Sequence, residues 1–133
     1  TDEVAEPNAF AVCAAVAAFD KGEAWLDELR MYLWENKKCV RDFVEKNLPM
    51  LRVVPSRATY LLWLDCGGVT RDGGELASFI RSDSGLYLTE GAEYGLCGRR
   101  FIRMNPACPR KRLLEGLDRL KAGVEHFVER RSR

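Results

Sequence analysis

The hydrophobic period changes from helical to strand-like between residues 47 and 51, and this limits the fold more than any single motif. From Glu23 to Lys46, Trp25, Leu29, Tyr32, Leu33, Val40, Phe43 and Val44 recur near helical spacing with charges between them. Leu48-Pro49 closes that segment, a helix about 36 Å long at 1.5 Å per residue. Downstream, LRVVP (51–55) and TYLLWLDC (59–66) are rich in β-branched and aromatic residues and read as strands. Pro55 and Ser56 mark a turn between them, so a hairpin is expected. TRDGGELASFIRSDSG (70–85) fits a short helix, with Asp72 and Glu75 in a capping arrangement and Gly85 as its stop. LYLTE (86–90) is a short strand, GAEYGLCGRR (91–100) a loop with three glycines, and RFIRMN (100–105) the last strand. From Pro109, in the first turn, to about Glu129, a final amphipathic helix carries Leu113, Leu117, Leu120, Val124 and Phe127. The tail ERRSR is expected to fray. This order predicts an α/β (α+β) domain: a small, mostly antiparallel sheet of about four strands with a short meander, covered by helices.

Ahead of this lies AFAVCAAVAAF (9–19), a helix with Asn8 as cap and Gly22 as stop. It is apolar on every side, which calls for cover beyond what a small domain offers. It is much shorter than the roughly 20 residues that span a bilayer. Acidic rather than basic residues (Asp2, Glu3, Glu6) precede it, unlike a signal peptide. The chain starts at Thr1 and runs straight into this apolar segment, so a piece of a larger protein is expected.

With 47% hydrophobic residues, the 133-residue chain can bury one core of ordinary size. Its net charge of +1, from 21 basic and 20 acidic residues, gives no bulk attraction for nucleic acid or an acidic membrane. The five cysteines (Cys13, Cys39, Cys66, Cys97, Cys108) form no Cys-x-x-Cys pair, and with His126 as the single histidine no zinc pattern arises. They read as reduced thiols filling apolar core in a cytoplasmic protein. His126 reads as a surface or half-buried side chain rather than a catalytic base.

FIRMNPACPR (101–110) carries the chemistry. In a strand, Phe101, Arg103 and Asn105 point one way and Ile102 and Met104 the other. An enclosed guanidinium at Arg103 needs a partner. A structural salt bridge to Asp65 or Glu90 is one reading; a fork gripping a substrate carboxylate through two parallel hydrogen bonds is the other. CGGVTRDGG (66–74) lacks the order of a phosphate loop and reads as a turn leading into a helix. The basic clusters Arg99-Arg100, PRKR (109–112) and ERRSR (129–133) are interleaved with acids and read as solvated faces. A patch for nucleic acid or an acidic protein, on a non-enzymatic α/β interaction module, is their rival reading.

ATYLLWLDC (58–66), LYLTEGAEYG (86–95) and FIRMNPACPRKRLLEGLDRL (101–120), in that order, resemble the C-terminal small domain of fold-type I pyridoxal-phosphate enzymes. The branch is that of the class I/II aminotransferases that includes the MalY/PatB-type cystathionine β-lyases. Residues 6–49 resemble the stretch where such chains leave the large domain along a long helix. The resemblance implies that residues 1–22 are a linker and apolar helix packing on a large domain, and 23–133 the small domain. It implies that Arg103 binds the α-carboxylate of an amino-acid substrate, with Tyr60 near the substrate side. Asn105 and Arg110 then hold the strand-to-helix junction. The function implied is the carboxylate-binding domain of a pyridoxal-phosphate aminotransferase, with a C–S lyase of cystathionine β-lyase type as the alternative, in a cytoplasmic homo-oligomer. The cofactor-holding lysine of such enzymes belongs to the large domain. Lys21, Lys37, Lys38, Lys46, Lys111 and Lys121 all sit in charged helical contexts, so no catalytic or cofactor-binding residue is expected within these 133 positions.

Overall fold

The Asn8 carboxamide accepts a hydrogen bond from the Ala11 amide at 2.9 Å and so starts α1 (Ala9–Lys21), as the sequence predicts. The computed structural model describes residues 7–132 and falls into two units, Thr1–Tyr32 and Leu33–Arg133. No residue of α1 is buried. α2 (Glu23–Asn47) has the expected length, but its buried residues are Asn36, Lys37, Val40 and Val44. Of the apolar positions expected on its face, Trp25 and Tyr32 are exposed, and Phe43 is half-buried.

In Leu33–Arg133 the chain builds one sheet from β1 (Arg52–Val53), β2 (Leu62–Asp65), β3 (Thr89–Glu90) and β4 (Phe101–Met104). The order is β1-β2-β4-β3, and every pairing is antiparallel. The sheet therefore matches the predicted class, but the expected meander is broken: β4 inserts between β2 and β3. The expected hairpin of β1 and β2 forms with a wider connection than Pro55 and Ser56 alone. Thr59 has a left-handed φ of 57°, so the strand expected from residue 59 begins only at Leu62. β3 likewise shrinks to Thr89–Glu90.

α3 (Gly73–Ser84) starts as predicted: the Asp72 carboxylate accepts from the amides of Gly74 and Glu75, and Gly85, at φ 72°, ends it in the left-handed region. The reciprocal half of a capping box is absent. The Asp72 amide instead donates to Thr70 Oγ1, and the Glu75 carboxylate turns to Thr70 and Arg131. α4 (Arg110–Arg131) follows Pro109, which sits one place before the helix rather than inside its first turn. The tail expected to fray from Glu129 stays helical to Arg131, whose guanidinium reaches Thr70 Oγ1 at 3.1 Å and Glu75 at 3.3 Å.

One face of the sheet closes the core. Leu62, Leu64, Ile102 and Met104 join Val40 and Val44 of α2, Leu76 and Ile80 of α3, and Leu113, Leu117, Leu120 and Val124 of α4. Each such aliphatic side chain contributes roughly 1.5–3 kcal/mol on burial. The reading of all five cysteines as core fillers does not hold. Cys66 is buried, Cys39 and Cys108 are half-buried against the core, and Cys13 and Cys97 are exposed, on a helix that buries nothing and on a loop. Burial, reinforced by the neighbouring Asp65 charge, pushes the Cys66 thiol up to about 12. Among the described residues, no helix is long and apolar enough to cross a membrane.

Candidate functional site

The opposite face of the sheet carries the site. Along β4, Ile102 and Met104 are buried while Phe101 and Arg103 are half-buried, the alternation the sequence predicts. Arg103 stands opposite Trp63 of β2 and Thr89 of β3. Its guanidinium lies over the Tyr94 ring, with Cζ 4.6 Å from the centroid, and donates to Thr89 Oγ1 at 3.5 Å, the outer limit of a hydrogen bond. Tyr94 in turn meets Trp63 edge-on at 5.6 Å, and Trp63 meets Phe101 at 6.0 Å.

Neither carboxylate expected as a structural partner reaches Arg103. Asp65 stands opposite Phe101. Its carboxylate accepts from Arg52 at 3.1 Å, from Arg100 at 2.8 Å and from the Gly67 amide at 3.0 Å. Glu90 stands opposite Ile102, on the other parity, and its carboxylate lies against Gly74 in the first turn of α3. Among the described residues, no carboxylate pairs with Arg103. Its donors are therefore largely uncommitted, on the face away from the core, and a planar cation so placed can take a carboxylate through two parallel N–H···O bonds.

The junction after β4 is held from two sides. Asn105 Oδ1 accepts from the Ala107 amide at 2.9 Å, making a tight local turn. Buried Asn36, on α2, donates to the carbonyls of Pro106 and Cys108 at 2.8 and 2.9 Å. Its neighbour Lys37, also buried, donates to the carbonyls of Thr59 at 3.0 Å and Ser56 at 3.3 Å. Two consecutive α2 residues thus fix the loops that flank the β2–β4 pair. Sequence reasoning missed both. The available signal was Asn36, Val40 and Val44 at i, i+4 and i+8, which continues the buried stripe one polar step back.

Tyr60 lies two residues before β2, is 44% exposed, and makes no hydrogen bond or ring contact with Arg103. Arg110 opens α4, half-buried. Lys37 is the buried lysine among the described residues, and its ammonium serves the 56–59 turn rather than standing free as an amine for a cofactor. Several basic residues are tied to acids: Arg99 to Asp72 at 2.9 Å, Arg100 to Asp65, and Arg131 to Glu75. The Arg99 hydrogen bond holds the Asp72 carboxyl below its usual range. His126 is on the surface as expected, its Nδ1 2.8 Å from Asp83, whose hydrogen bond raises the imidazole above its ordinary value.

No family model matches the chain. The chain is 37% identical over 117 residues to cystathionine β-lyase PatB of Bacillus subtilis, which covers 88% of this chain and 30% of PatB. It is 34% identical over 116 residues to protein MalY of Escherichia coli, covering 87% and 30%. Among solved structures, the pyridoxal-phosphate-bound C–S lyase from Staphylococcus hominis superposes with a TM-score of 0.81 at 31% identity, over 88% of this chain and 31% of that one. The chain spans about 30% of the length of the curated relatives it matches.

Proposed function

We propose that this chain, which belongs to the class I/II aminotransferase family of fold-type I pyridoxal-phosphate enzymes and matches the C-terminal small domain of its MalY/PatB branch, supplies the site that grips the α-carboxylate of an amino-acid substrate. The observation that carries this reading is the Arg103 guanidinium, set on the face away from the core with no carboxylate partner among the described residues, while Asp65 nearby is saturated by two other arginines. Pyridoxal phosphate, when bound in the whole enzyme, supplies an electron sink for the amino acid. The role of this chain is orientation. A carboxylate forked by Arg103 fixes one substituent of the substrate's α-carbon, and with it the direction of the Cα–H bond. Tyr60, exposed beside the same strand pair, lines the approach for the substrate.

The whole enzyme, in this reading, runs transamination or β-elimination of a sulfur amino acid, and the relationship to PatB favours elimination. The two are separated by supplying cystathionine to the full-length protein. Elimination releases a thiol, pyruvate and ammonia; transamination passes the amino group to an added keto acid. Residues 1–22 act as the linker and apolar helix, with Phe10 and Phe19 supplying surface for the large domain or a second subunit of a cytoplasmic homo-oligomer, and residues 23–133 as the small domain. The interaction-module reading has less support, because Arg99, Arg100 and Arg131 are paired with Asp72, Asp65 and Glu75. It requires steeply salt-dependent nucleic-acid binding.

The test of the carboxylate role is Arg103→Lys in the full-length enzyme. A point charge does not reproduce a bidentate fork, so kcat/KM for the amino acid should fall by the equivalent of about 1–3 kcal/mol. An unchanged kcat/KM removes Arg103 from the site.

A further inference from the structure

We propose that Tyr94 is a positioning residue that holds the Arg103 guanidinium against its ring, so that its N–H donors stay placed for the substrate carboxylate. The inference rests on the carboxylate role of Arg103 and extends it to the 91–98 loop. Three observations carry it. First, Tyr94 does not fill the core: it is 51% exposed, and its hydroxyl makes no hydrogen bond among the described residues. What it offers is a ring face, and Arg103 occupies that face at 4.6 Å. Second, the ring supports the cation without offering an acceptor oxygen, and the one hydrogen bond of the guanidinium is the 3.5 Å contact to Thr89, so most of its N–H donors remain for a fork; a carboxylate partner would have consumed them.

Third, the loop that carries Tyr94 is closed on itself. Its two 3₁₀ turns, Gly91–Tyr94 and Leu96–Gly98, bring Gly91 and Gly98 into backbone contact: a Cβ on either would collide with the carbonyl oxygen of the other. Gly95 joins the turns at φ 117°, a conformation L side chains rarely adopt, and its amide donates to Ala92 at 3.1 Å. Trp63 then backs the Tyr94 ring edge-on. A flexible arginine is thereby ordered before the substrate arrives, which lowers the ordering cost of binding.

The experiment uses the full-length enzyme and two probes, L-alanine and ethylamine, which differ at the α-carbon chiefly by the carboxylate. The readout is the ratio of their dissociation constants. Tyr94→Leu should reduce the preference for L-alanine about fivefold, the scale of a partly exposed cation–π contact, and Tyr94→Phe, which keeps the ring, should restore it. In an Arg103→Met background the preference should collapse and Tyr94→Leu should have no further effect. Should the leucine variant fail to fold, Tyr94→Gln takes its place. Three results overturn the inference while leaving Arg103 in its role: an unchanged ratio in Tyr94→Leu, an equal loss of both probes, or an effect that persists without Arg103. A ratio unmoved by Arg103→Met overturns the carboxylate reading itself.

Discussion

Two arginine-bearing corners lie on the solvent-facing side of the same four-stranded sheet, and they are built to opposite specifications. At one, the Asp65 carboxylate, its side chain 9% exposed, is saturated by Arg52, Arg100 and the Gly67 amide. At the other, Arg103 has an aromatic ring beneath it, a long contact to Thr89, and no carboxylate among the described residues. A closed ion cluster serves the fold, because an enclosed carboxylate left bare is costly. An arginine whose charge is supported but whose hydrogen bonds are largely unspent fits the proposed role of receiving a substrate carboxylate. The difference lies in which element faces each one: Asp65 meets the two basic positions Arg52 and Arg100, whereas Arg103 looks across at Trp63 and Thr89.

The contrast is sharpest if the two corners respond to mutation in different currencies. In the full-length enzyme, Arg103→Ala should lower kcat/KM for the amino acid by the equivalent of about 2–4 kcal/mol, since in the proposed role the substrate carboxylate is left without its charged partner. Its melting temperature should hardly move, because no internal carboxylate loses a partner. A large drop in melting temperature would make the two corners alike and break the comparison. Asn36→Leu strikes the scaffold beneath: it strips the Pro106 and Cys108 carbonyls of their donor, and denaturant unfolding should register a loss of about 2–4 kcal/mol. Asp65→Asn should cost stability of about 1–2 kcal/mol while leaving amino-acid kinetics unchanged, the mirror image of Arg103→Ala.

The smallest effects belong to exposed ion pairs remote from either corner's chemistry, and pH reads them. The His126 imidazole is raised by Asp83, so its contribution is complete below the ordinary value of 6.5 and is lost as pH rises through the raised one. The Asp72 carboxyl is lowered by Arg99, so its contribution is present above the ordinary 3.8 and is lost as pH falls through the lowered one. Melting curves of His126→Asn should therefore converge on wild type at the alkaline end and fall slightly below it at mildly acidic pH. Divergence that grows with rising pH would reverse the sign and refute the pairing.

Much of this contrast was legible in the chain. Alternation along 101–104 placed Arg103 opposite in parity to Ile102, and the cap at Asp72 and the stop at Gly85 were written in residue types that act locally. What stayed hidden depends on tertiary approach. The partners of Asp65 follow from strand register, which the sequence does not specify. Lys37 has the composition of a solvated helical lysine and is buried because the 56–59 turn needs a donor. The exposed cysteines misled because their neighbours are apolar in sequence but their faces are not covered. Tyr94 sits in a glycine-rich loop whose closure depends on Gly91 and Gly98 meeting across seven positions.

The strand order carries a consequence for synthesis. β4, inside the sheet, is the last of its four strands to be made, and β3 has no other neighbour in it. Until Met104 has emerged from the ribosome, this sheet holds only the short β1–β2 pairing, far below what an independent sheet needs, with one edge of β2 open. Closure then comes as a single late event that completes both sides of the sheet at once. A chain cut before Phe101 is thus left with an unpaired edge in place of a smaller domain, and edges of that kind recruit other chains.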